Sequence, residues 1–304
     1  MDLPTMAVVR RPNANPQLFL TRGRQVYSCW KESNAWNAGW TPWNPILSAA
    51  RPGEIRKLVS SRYDLTHPQL WAWSDRGLWT CWQQGGDPDS WSDWQHFGTP
   101  NAAITDVATI TGSTNSYVFA ATADGRLYGR ARRNTSAPLD WYDWEPLVAP
   151  VGGALMLHGA HLQSYQAQLL LWAATDLGLL RLARNAGGYW QHWTSDTPQT
   201  GPGLYGLLGM ASVPLLPSGR IMQFLVADRQ LVYRTQSGDS GFGYWQDFGY
   251  PGEYVAQLLA AHLSDGRIQV WALLMRENTL VGIQTRWMTS NREDAGWTDW
   301  SELH

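Results

Sequence analysis

The chain has 304 residues, of which 44% are hydrophobic and 16% charged, with a formal net charge of −2 at pH 7. This apolar and aromatic content excludes a disordered chain. The small net charge excludes a broad electrostatic attraction to nucleic acid or to an anionic membrane surface.

The amino-terminal residues 1–12 lack the apolar stretch of a secretory signal, because Arg10 and Arg11 interrupt it. No apolar run is long enough to cross a bilayer. We therefore expect no membrane insertion, and a protein that is cytoplasmic or is released by a non-classical route. Cys29 and Cys81, the two cysteines, occupy matching places in successive repeats. Matching places on neighbouring blades exceed the ~7 Å Cα limit for a disulfide, so we expect buried free thiols.

A tryptophan motif, Trp-x-x-Trp, recurs along the chain at intervals of 49 to 55 residues. Its six copies are Trp40–Trp43, Trp91–Trp94, Trp141–Trp144, Trp190–Trp193, Phe242–Trp245 and Trp297–Trp300, the fifth being altered at its first position. A repeat of this period, filled with short strands and turns, is typical of a propeller blade.

The residues between the motifs form a pattern of short strands and turns without helical periodicity. In the second repeat the predicted strands are residues 55–63, 69–73, 78–82 and 91–97. The same frame places second strands at residues 17–20, 117–120, 169–172, 222–225 and 268–271, and starts third strands at Val26, Leu127, Leu179, Leu231 and Leu280.

These patterns predict an all-β fold, a six-bladed propeller with four antiparallel strands per blade, formed by residues 1–304 as a single domain. The approximate blades are residues 1–50, 51–100, 101–150, 151–202, 203–251 and 252–304. No spare strand remains at either end to complete a shared blade. The ring is therefore closed by packing of blade one against blade six, or it is completed by another chain in a homo-oligomer.

The second repeat carries Gln-Leu-Trp-Ala at 69–72, Gly-Leu-Trp-Thr-Cys-Trp-Gln at 77–83 and Trp-Ser-Asp-Trp-Gln-His-Phe-Gly at 91–98. This blade pattern resembles the bacterial lectins typified by the Photorhabdus luminescens lectin. The resemblance implies a tryptophan-rich propeller that binds fucose and O-methylated sugars in pockets between neighbouring blades. The best-known members of that family have seven blades, whereas this sequence predicts six.

The two rings of each motif lie three residues apart, so on a regular strand they would face opposite sides. We therefore expect one ring to pack against a sheet and the other to lie at an inter-blade rim. Two interpretations remain open: all rings serve packing, or at least one per motif is a platform for the apolar face of a sugar. Asp93, Asp143 and Asp299, at the third motif position, are candidates for hydrogen bonds to sugar hydroxyls or for solvent-facing ends of the strand.

A further tryptophan position lies on the third strand, where Trp30 and Trp82 are aligned with Ala131, Ala183, Thr235 and Gln284. Because a large ring is replaced by small or polar side chains there, the position is predicted to be at the surface or to line a pocket. Blades one, two and six are predicted to be the best equipped for a ligand. The candidate sugar-binding residues are Trp40, Trp43, Trp82, Trp91, Trp94, Asp93, Trp141, Trp144, Asp143, Trp190, Trp193, Trp245, Trp297, Trp300 and Asp299.

Three histidines, His158, His161 and His262, fall on first strands and are predicted to line the central channel. Because Arg62 and Arg10 match His161 and His262 in the repeat, we interpret them as repeat residues and expect no metal site. No nucleophile elbow, phosphate-binding loop or zinc-protease motif is present in the sequence. We therefore expect no catalytic residues and no cofactor.

The favoured function is multivalent recognition of fucosylated or O-methylated glycans. A protein-interaction scaffold and an enzyme with a site in the central channel remain alternatives.

Overall fold

A computed structural model describes the chain except residues 1–2, 12–14, 34, 36–37, 65, 113–114, 135, 154–155, 162–168, 177, 186, 197–206, 217, 228–229, 238–240 and 304. The described residues form six antiparallel sheets and no helix. The sheets surround a central channel lined by the first strand of each blade. The predicted six-bladed propeller is confirmed.

Each blade is a meander whose strands run in sequence order from the channel to the rim. Blades one to three consist of Met6–Arg10, Pro16–Arg22, Gln25–Trp30 and Asn44–Pro45; of Ile55–Arg62, Pro68–Ser74, Gly77–Trp82 and Gln95–His96; and of Ile104–Thr111, Ser116–Thr122, Leu127–Ala131 and Glu145–Leu147. Blades four to six consist of Met156–His161, Leu169–Thr175, Gly178–Arg184 and Thr194–Ser195; of Leu207–Pro214, Ile221–Ala227, Gln230–Ser237 and Gln246–Asp247; and of Tyr254–His262, Ile268–Arg276, Thr279–Trp287 and Ser301–Glu302. In blade five Gly241–Phe242 also pairs with the third strand.

Where the turns between second and third strands are described, they have the left-handed backbone that tight hairpins require. Gly77 provides it in blade two, with a φ of +103°. In blade six Glu277 and Asn278 adopt φ values of +47° and +66° without a glycine. The turn chemistry therefore fixes where the third strands of these blades start.

The second strands form the most buried layer, because each is flanked by a strand on both edges and by neighbouring blades on both faces. An aromatic ring lies at the matching register of every one, and all six rings have 0% exposure. These rings are Phe19, Trp71, Phe119, Trp172, Phe224 and Trp271.

Each of these rings meets the first ring of the next blade's motif edge to face. The six pairs are Phe19–Trp91, Trp71–Trp141, Phe119–Trp190, Trp172–Phe242, Phe224–Trp297 and Trp271–Trp40. Their ring centroids are 5.2 to 6.3 Å apart and their planes meet at 71° to 89°. Edge-to-face pairs of this kind contribute about 0.5–1.5 kcal/mol each beyond the area they bury. One repeated contact thus joins all six blades.

The ring closes by packing of blade one against blade six, as the first of the two predicted modes of closure. The Trp271–Trp40 pair lies at this junction. Gln257 adds hydrogen bonds: its Oε1 accepts from the Met6 amide at 2.6 Å and from Thr5 Oγ1 at 3.2 Å, and its Nε2 donates to the Met6 carbonyl at 2.8 Å. The hydrogen bonds of this one side chain therefore take the place of part of the strand pairing that a blade shared between the two ends of the chain would supply.

The expectation that the two motif rings face opposite sides is wrong. In blade three Trp141 and Trp144 both pack against Phe97 of blade two, with centroids 5.3 and 6.0 Å away. The reason is that the motif is not a continuous strand. In blade three its first residue makes an isolated bridge to Arg132, the residue after the third strand, and the fourth strand begins only after the motif ends. The strict alternation of a strand does not apply across that break.

The closing contact generates a prediction about stability. Trp271→Ala removes a fully buried ring and is expected to lower the free energy of unfolding by about 3–5 kcal/mol. Tyr244→Ala, at a side chain that is 79% exposed, serves as the control and is expected to stay within about 0.5 kcal/mol of wild type. Denaturant titration followed by tryptophan fluorescence measures both. A loss below 1 kcal/mol for Trp271→Ala, on the order of a surface substitution, would contradict the role of the contact.

Candidate functional site

The first motif rings are held between blades. Trp91 and Trp141 are buried, at 9% and 4% exposure, and Trp40, Trp190 and Trp297 are half-buried. In blades two and three the indole Nε1 donates to a proline carbonyl three residues earlier, to Pro88 at 2.9 Å and to Pro138 at 2.8 Å. These hydrogen bonds hold the indole edge in place beside the preceding blade.

The second motif rings pack on the segment that follows the fourth strand of the preceding blade. Trp94 is buried, and Trp43, Trp144, Trp193, Trp245 and Trp300 are half-buried. Trp193 donates to the Val148 carbonyl at 2.7 Å and Trp300 to the Gly249 carbonyl at 3.2 Å. Both rings of the motif thus contribute to the inter-blade clusters.

The three motif aspartates are exposed. Asp93 Oδ1 accepts hydrogen bonds from the Ala49 amide at 2.8 Å and from Ser48 Oγ at 2.9 Å. These two donors, the Ala49 amide first, hold the pKa of Asp93 below its usual range. Asp93 therefore ties blade two to the end of blade one. Asp143 and Asp299 lie near Arg130 and Arg286 respectively.

Those arginines are functional candidates that were not predicted from the sequence. Arg130, Arg234 and Arg286 occupy the third-strand position that Cys29 and Cys81 occupy in blades one and two. Each guanidinium lies over aromatic rings at the boundary with the preceding blade: Arg130 is 4.5 Å from the Phe97 centroid and Arg286 is 4.6 Å from that of Phe248. Aligning the third strands on the two cysteines would have revealed this basic series.

Arg234 also joins blades four and five through an ion pair. Its Nη2 lies 2.8 Å from Asp196 Oδ2, and the two side chains are only 5% and 10% exposed. Trp172 Nε1 donates to the same carboxylate oxygen at 2.6 Å. Burial lowers the pKa of Arg234, and the Asp196 carboxylate opposes that shift.

The third-strand tryptophans lie on the face of the sheet opposite to the one that carries the cysteines and arginines. Trp30, Trp82 and Trp287 are all half-buried and end the third strands of blades one, two and six. The alignment that placed Gln284 at this position is therefore wrong, because Trp287 has the matching register. The third strand of blade six is nine residues long and follows a register shift at Leu274/Met275, so counting from its start gave the wrong residue.

Each of these tryptophans lies opposite a buried glutamine on the second strand. The pairs are Gln17–Trp30, Gln69–Trp82 and Gln269–Trp287. Two residues before each tryptophan is a buried hydroxyl, that of Ser28, Thr80 or Thr285. Gln69 Nε2 donates to Thr80 Oγ1 at 2.9 Å, and Gln269 Nε2 donates to Thr285 Oγ1 at 2.7 Å. We call each glutamine, hydroxyl and tryptophan a triplet.

In these three blades the Trp-x-x-Trp motif that follows the third strand is hydrogen-bonded to the tryptophan of the triplet. The amides of Trp30, Trp82 and Trp287 each donate, at 3.1 Å, to the hydroxyl at the second motif position. That hydroxyl belongs to Thr41, Ser92 or Thr298. Blades three, four and five have Tyr142, Gln191 and Gly243 at this position.

Blades three, four and five also lack the triplet. Ala131, Ala183 and Thr235 stand in place of the tryptophan. Tyr117, Leu170 and Met222 replace the glutamine, and Gly129, Arg181 and Tyr233 replace the hydroxyl. All three members are therefore present together in blades six, one and two, which are consecutive in the ring, and absent together elsewhere.

The triplets face the next blade. Gln17 Nε2 lies 3.3 Å from the Pro88 carbonyl, the same oxygen that accepts from Trp91 of blade two. Gln69 and Trp141 share the Pro138 carbonyl in the same way. In blade one the residue at this place in the sequence is Asn37, which lies outside the described residues. Each boundary thus combines a half-buried indole, a fixed amide and the first motif ring of the next blade.

Two of the three boundaries hold an unused acceptor. Gln17 Oε1 and Gln269 Oε1 are buried without a hydrogen-bond donor among the described residues. At the boundary between blades two and three, Gln69 Oε1 instead accepts from Arg132, which also donates to the Tyr63 carbonyl. Burial lowers the pKa of Arg132 to about 10. A buried unpaired acceptor costs about 1–3 kcal/mol, so a donor supplied by a ligand would be favoured there.

The central channel has a volume of about 740 Å³ and holds a second group of polar side chains. Lys57 Nζ pairs with Asp106 at 2.7 and 2.8 Å, and His158 Nε2 lies 2.6 Å from Ser212 Oγ. Burial lowers the pKa of His158 to about 3, and the Lys57 charge adds to the shift, so this imidazole is neutral near pH 7. His158 and His262 line the channel as predicted, whereas the side chain of His161 lies outside the described residues.

Within the described part of the chain, no group of three or more His, Cys, Asp and Glu side chains could hold a metal ion. None of the described segments is a helix that is long and apolar enough to cross a membrane.

No protein-family model and no curated protein sequence matches the chain. Solved structures share its fold. AofleA from Arthrobotrys oligospora matches at 12% identity with a TM-score of 0.71, covering 99% of this chain and 86% of that one. A variant of the Aleuria aurantia lectin in complex with Fucα1-6GlcNAc matches at 10% identity and 0.68, covering 99% and 96%. The SapL1 lectin in complex with α-methyl fucoside matches at 13% and 0.67, covering 100% and 96%. At such identities the likeness shows the propeller fold.

The buried ion pair between blades four and five generates a second prediction. Asp196→Asn leaves the Arg234 cation without its counter-charge and is expected to cost about 3–5 kcal/mol of unfolding free energy. The control is Asp294→Asn, which breaks the Arg292–Asp294 pair, whose side chains are 75% and 73% exposed. That change is expected to cost less than about 1 kcal/mol. Equal losses for the two variants in denaturant titrations would contradict the structural role of the buried pair.

The cysteines generate a third prediction. Cys29 and Cys81 are free and buried, as expected, and burial raises the pKa of both thiols. Because the thiolate is the reactive form, an aromatic disulfide reagent at pH 8, about half a unit below the ordinary cysteine pKa, is expected to label neither thiol in the folded protein. Both are expected to react after unfolding in guanidinium. Rapid labelling of the folded protein would show that one of these thiols is accessible.

Proposed function

We propose that the protein is a carbohydrate-binding lectin whose sites lie at three consecutive blade boundaries, six–one, one–two and two–three. Each site consists of a third-strand tryptophan with its triplet partners and the first motif ring of the next blade. The indoles are Trp287 with Trp40, Trp30 with Trp91, and Trp82 with Trp141. In this proposal the other motif rings, with Asp93, Asp143 and Asp299, serve the packing of the blades.

The observation that carries the proposal is the joint presence and joint loss of the triplet. A ring that served packing alone could be exchanged independently of the glutamine and the hydroxyl, since packing tolerates compensating changes in volume. Instead, all three members change together between blades six, one and two and blades three, four and five. A group of residues that is kept or lost as a unit is expected when the members contact a common ligand.

The chemistry of the triplet suits a sugar. A half-buried indole offers a flat apolar surface, at low entropic cost, for the C–H face of a pyranose. The amide oxygens of Gln17 and Gln269 are fixed acceptors that a sugar hydroxyl could approach after a small displacement of the covering side chains. Polar groups at fixed positions then select the orientation of the hydroxyls.

Solved structures of lectins with this fold support the proposal that the ligand is a sugar. The Aleuria aurantia and SapL1 structures contain fucosides, and both chains match this one over nearly their whole length. The resemblance of the repeat to the Photorhabdus luminescens lectin family points to fucose or O-methylated sugars. We therefore propose terminal fucosylated or O-methylated glycans as the first ligands to test.

Three sites on one rigid ring favour multivalent binding. One shallow pocket with a stacking ring and a few water-competed hydrogen bonds is expected to have a dissociation constant on the order of 1 mM. Simultaneous occupation of several pockets on a dense glycan surface raises the apparent affinity by roughly 10²–10⁴. The protein would then discriminate dense glycan surfaces from free sugars.

The test uses a glycan array to identify the sugar, followed by tryptophan variants of the three sites. Trp82→Ala, Trp30→Ala and Trp287→Ala are each expected to remove one site, so that calorimetric stoichiometry falls from three sugars per chain towards two. Each added substitution is expected to weaken binding to a dense surface by about tenfold or more, because an arm of the multivalent contact is lost. Surface plasmon resonance on an immobilised fucosylated glycoprotein measures this loss.

Trp73→Ala is the matched control, because Trp73 is a half-buried tryptophan of blade two that lies beneath Arg56 and outside the triplets. It is expected to bind like wild type. Near-ultraviolet circular dichroism checks that every variant is folded. A folded triple variant that retains wild-type binding would refute the assignment of the sites, and absence of any glycan bound on the array would refute the lectin function itself.

A further inference from the structure

The three boundaries with a triplet differ at the residue of the later blade that forms an isolated bridge with the first motif tryptophan. This residue is Lys31 at the six–one boundary, Gln83 at the one–two boundary and Arg132 at the two–three boundary. Lys31 Nζ donates to carbonyl oxygens of its own blade, and Gln83 Nε2 donates to the Asp87 carbonyl at 3.0 Å. Arg132 instead reaches across the boundary into blade two. The polar groups left for a ligand therefore differ between the boundaries.

At the six–one and one–two boundaries the polar group without a partner is a hydrogen-bond acceptor. Gln269 Oε1 and Gln17 Oε1 are buried and accept no hydrogen bond from the described residues. The amide nitrogens are used, because Gln269 Nε2 donates to Thr285 Oγ1 at 2.7 Å and Gln17 Nε2 to the Pro88 carbonyl at 3.3 Å. A ligand pairs with these two oxygens only if it donates a hydrogen bond, as a free hydroxyl does.

At the two–three boundary the polar group without a partner is a donor. Arg132 donates to Gln69 Oε1 and to the Tyr63 carbonyl, so the amide oxygen is already used. Arg132 is only 1% exposed, and its Nε–H has no acceptor among the described residues. The guanidinium carbon lies 4.6 Å from the centroid of the Trp141 ring, which is part of the proposed site. Because an arginine side chain has donors and no acceptor, this group requires an acceptor from the ligand.

From this difference we infer that the boundaries select differently substituted sugars. The six–one and one–two sites require a free hydroxyl opposite the amide oxygen. The two–three site requires only an oxygen that accepts, so it takes the methyl ether of that hydroxyl as well as the hydroxyl itself. Arg132 is therefore the residue that determines the specificity of the third site. This specificity rests on the proposed function, because it assigns the ligands of the same three sites.

The experiment compares chains that keep a single site. Trp30→Ala with Trp287→Ala leaves the two–three site, and Trp82→Ala with Trp287→Ala leaves the one–two site. Each chain is titrated with methyl α-L-fucoside and its three mono-O-methyl ethers, followed by ligand-observed nuclear magnetic resonance. The one–two chain is expected to bind one of the ethers about tenfold more weakly than the parent sugar, because a buried amide oxygen stays unpaired. The two–three chain is expected to bind that same ether about as tightly as the parent.

A deoxy sugar separates the lost hydrogen bond from a steric effect of the added methyl group. Replacement of the selected hydroxyl by hydrogen is expected to weaken binding to both chains by about tenfold, since a deoxy position neither donates nor accepts. The ether thus weakens binding to one chain only, whereas the deoxy sugar weakens binding to both. A steric clash alone would spare the deoxy sugar in both chains.

The test variant is Arg132→Gln in the two–three chain, which introduces the residue type that Gln83 provides at the one–two boundary. It frees Gln69 Oε1 and removes the guanidinium donor, so this chain is expected to acquire the preference for the unmethylated sugar. Arg184→Gln is the matched control, because Arg184 is bridged to Trp190 in the same way, at a boundary without a triplet. It is expected to leave the ranking of the ligands unchanged. Near-ultraviolet circular dichroism checks that each variant is folded.

The same ranking of the ligands by both single-site chains would overturn the inference and leave the proposed function intact. An unchanged ranking after Arg132→Gln in a folded chain would also overturn it. If Arg132→Gln does not fold, the comparison of the two single-site chains decides by itself. If wild type binds none of these fucosides the inference fails, whereas the proposed function fails only if the glycan array also shows no bound glycan.

Discussion

The structure depends on one aromatic contact made six times. A buried ring on the second strand of each blade meets the first motif ring of the next blade edge to face, and the same contact joins blade six to blade one. Because four-stranded sheets with outer strands of only two or three residues cannot bury both of their faces alone, each blade needs a neighbour on either side. The tryptophans of the motifs therefore serve first to pack neighbouring blades against one another.

The fold could be predicted from the sequence because its signals are local and repeated. The spacing of the motifs gave the number of blades, and the turns gave the second and third strands. What the sequence could not give was the orientation of the two motif rings, since the strand breaks inside the motif. The register of Trp287 was missed for a related reason: a shift in the pairing of blade six displaces the count by which Gln284 was chosen.

The candidate site was predictable only in part. Trp82 and the favoured blades one, two and six emerged from the repeat, but the glutamines did not. Gln17, Gln69 and Gln269 look like ordinary strand residues until the pairing of the second and third strands sets each opposite a tryptophan. The arginines over Phe97 and Phe248 were hidden because two blades have a cysteine at that position. These residues differ from their neighbours in their partners on the adjacent strand, and a single sequence does not show which residues pair across strands.

The hydrogen bonds of Gln257 to Thr5 and Met6 have a consequence for how the ring opens. Every other boundary joins blades that are adjacent along the chain, whereas this one spans 251 residues. Closing a loop about five times longer than one repeat costs only about 1.4 kcal/mol more in chain entropy. Contacts equal to those elsewhere would therefore leave this boundary slightly the weakest, and transient opening of the ring would begin there. The hydrogen bonds of Gln257 oppose this opening.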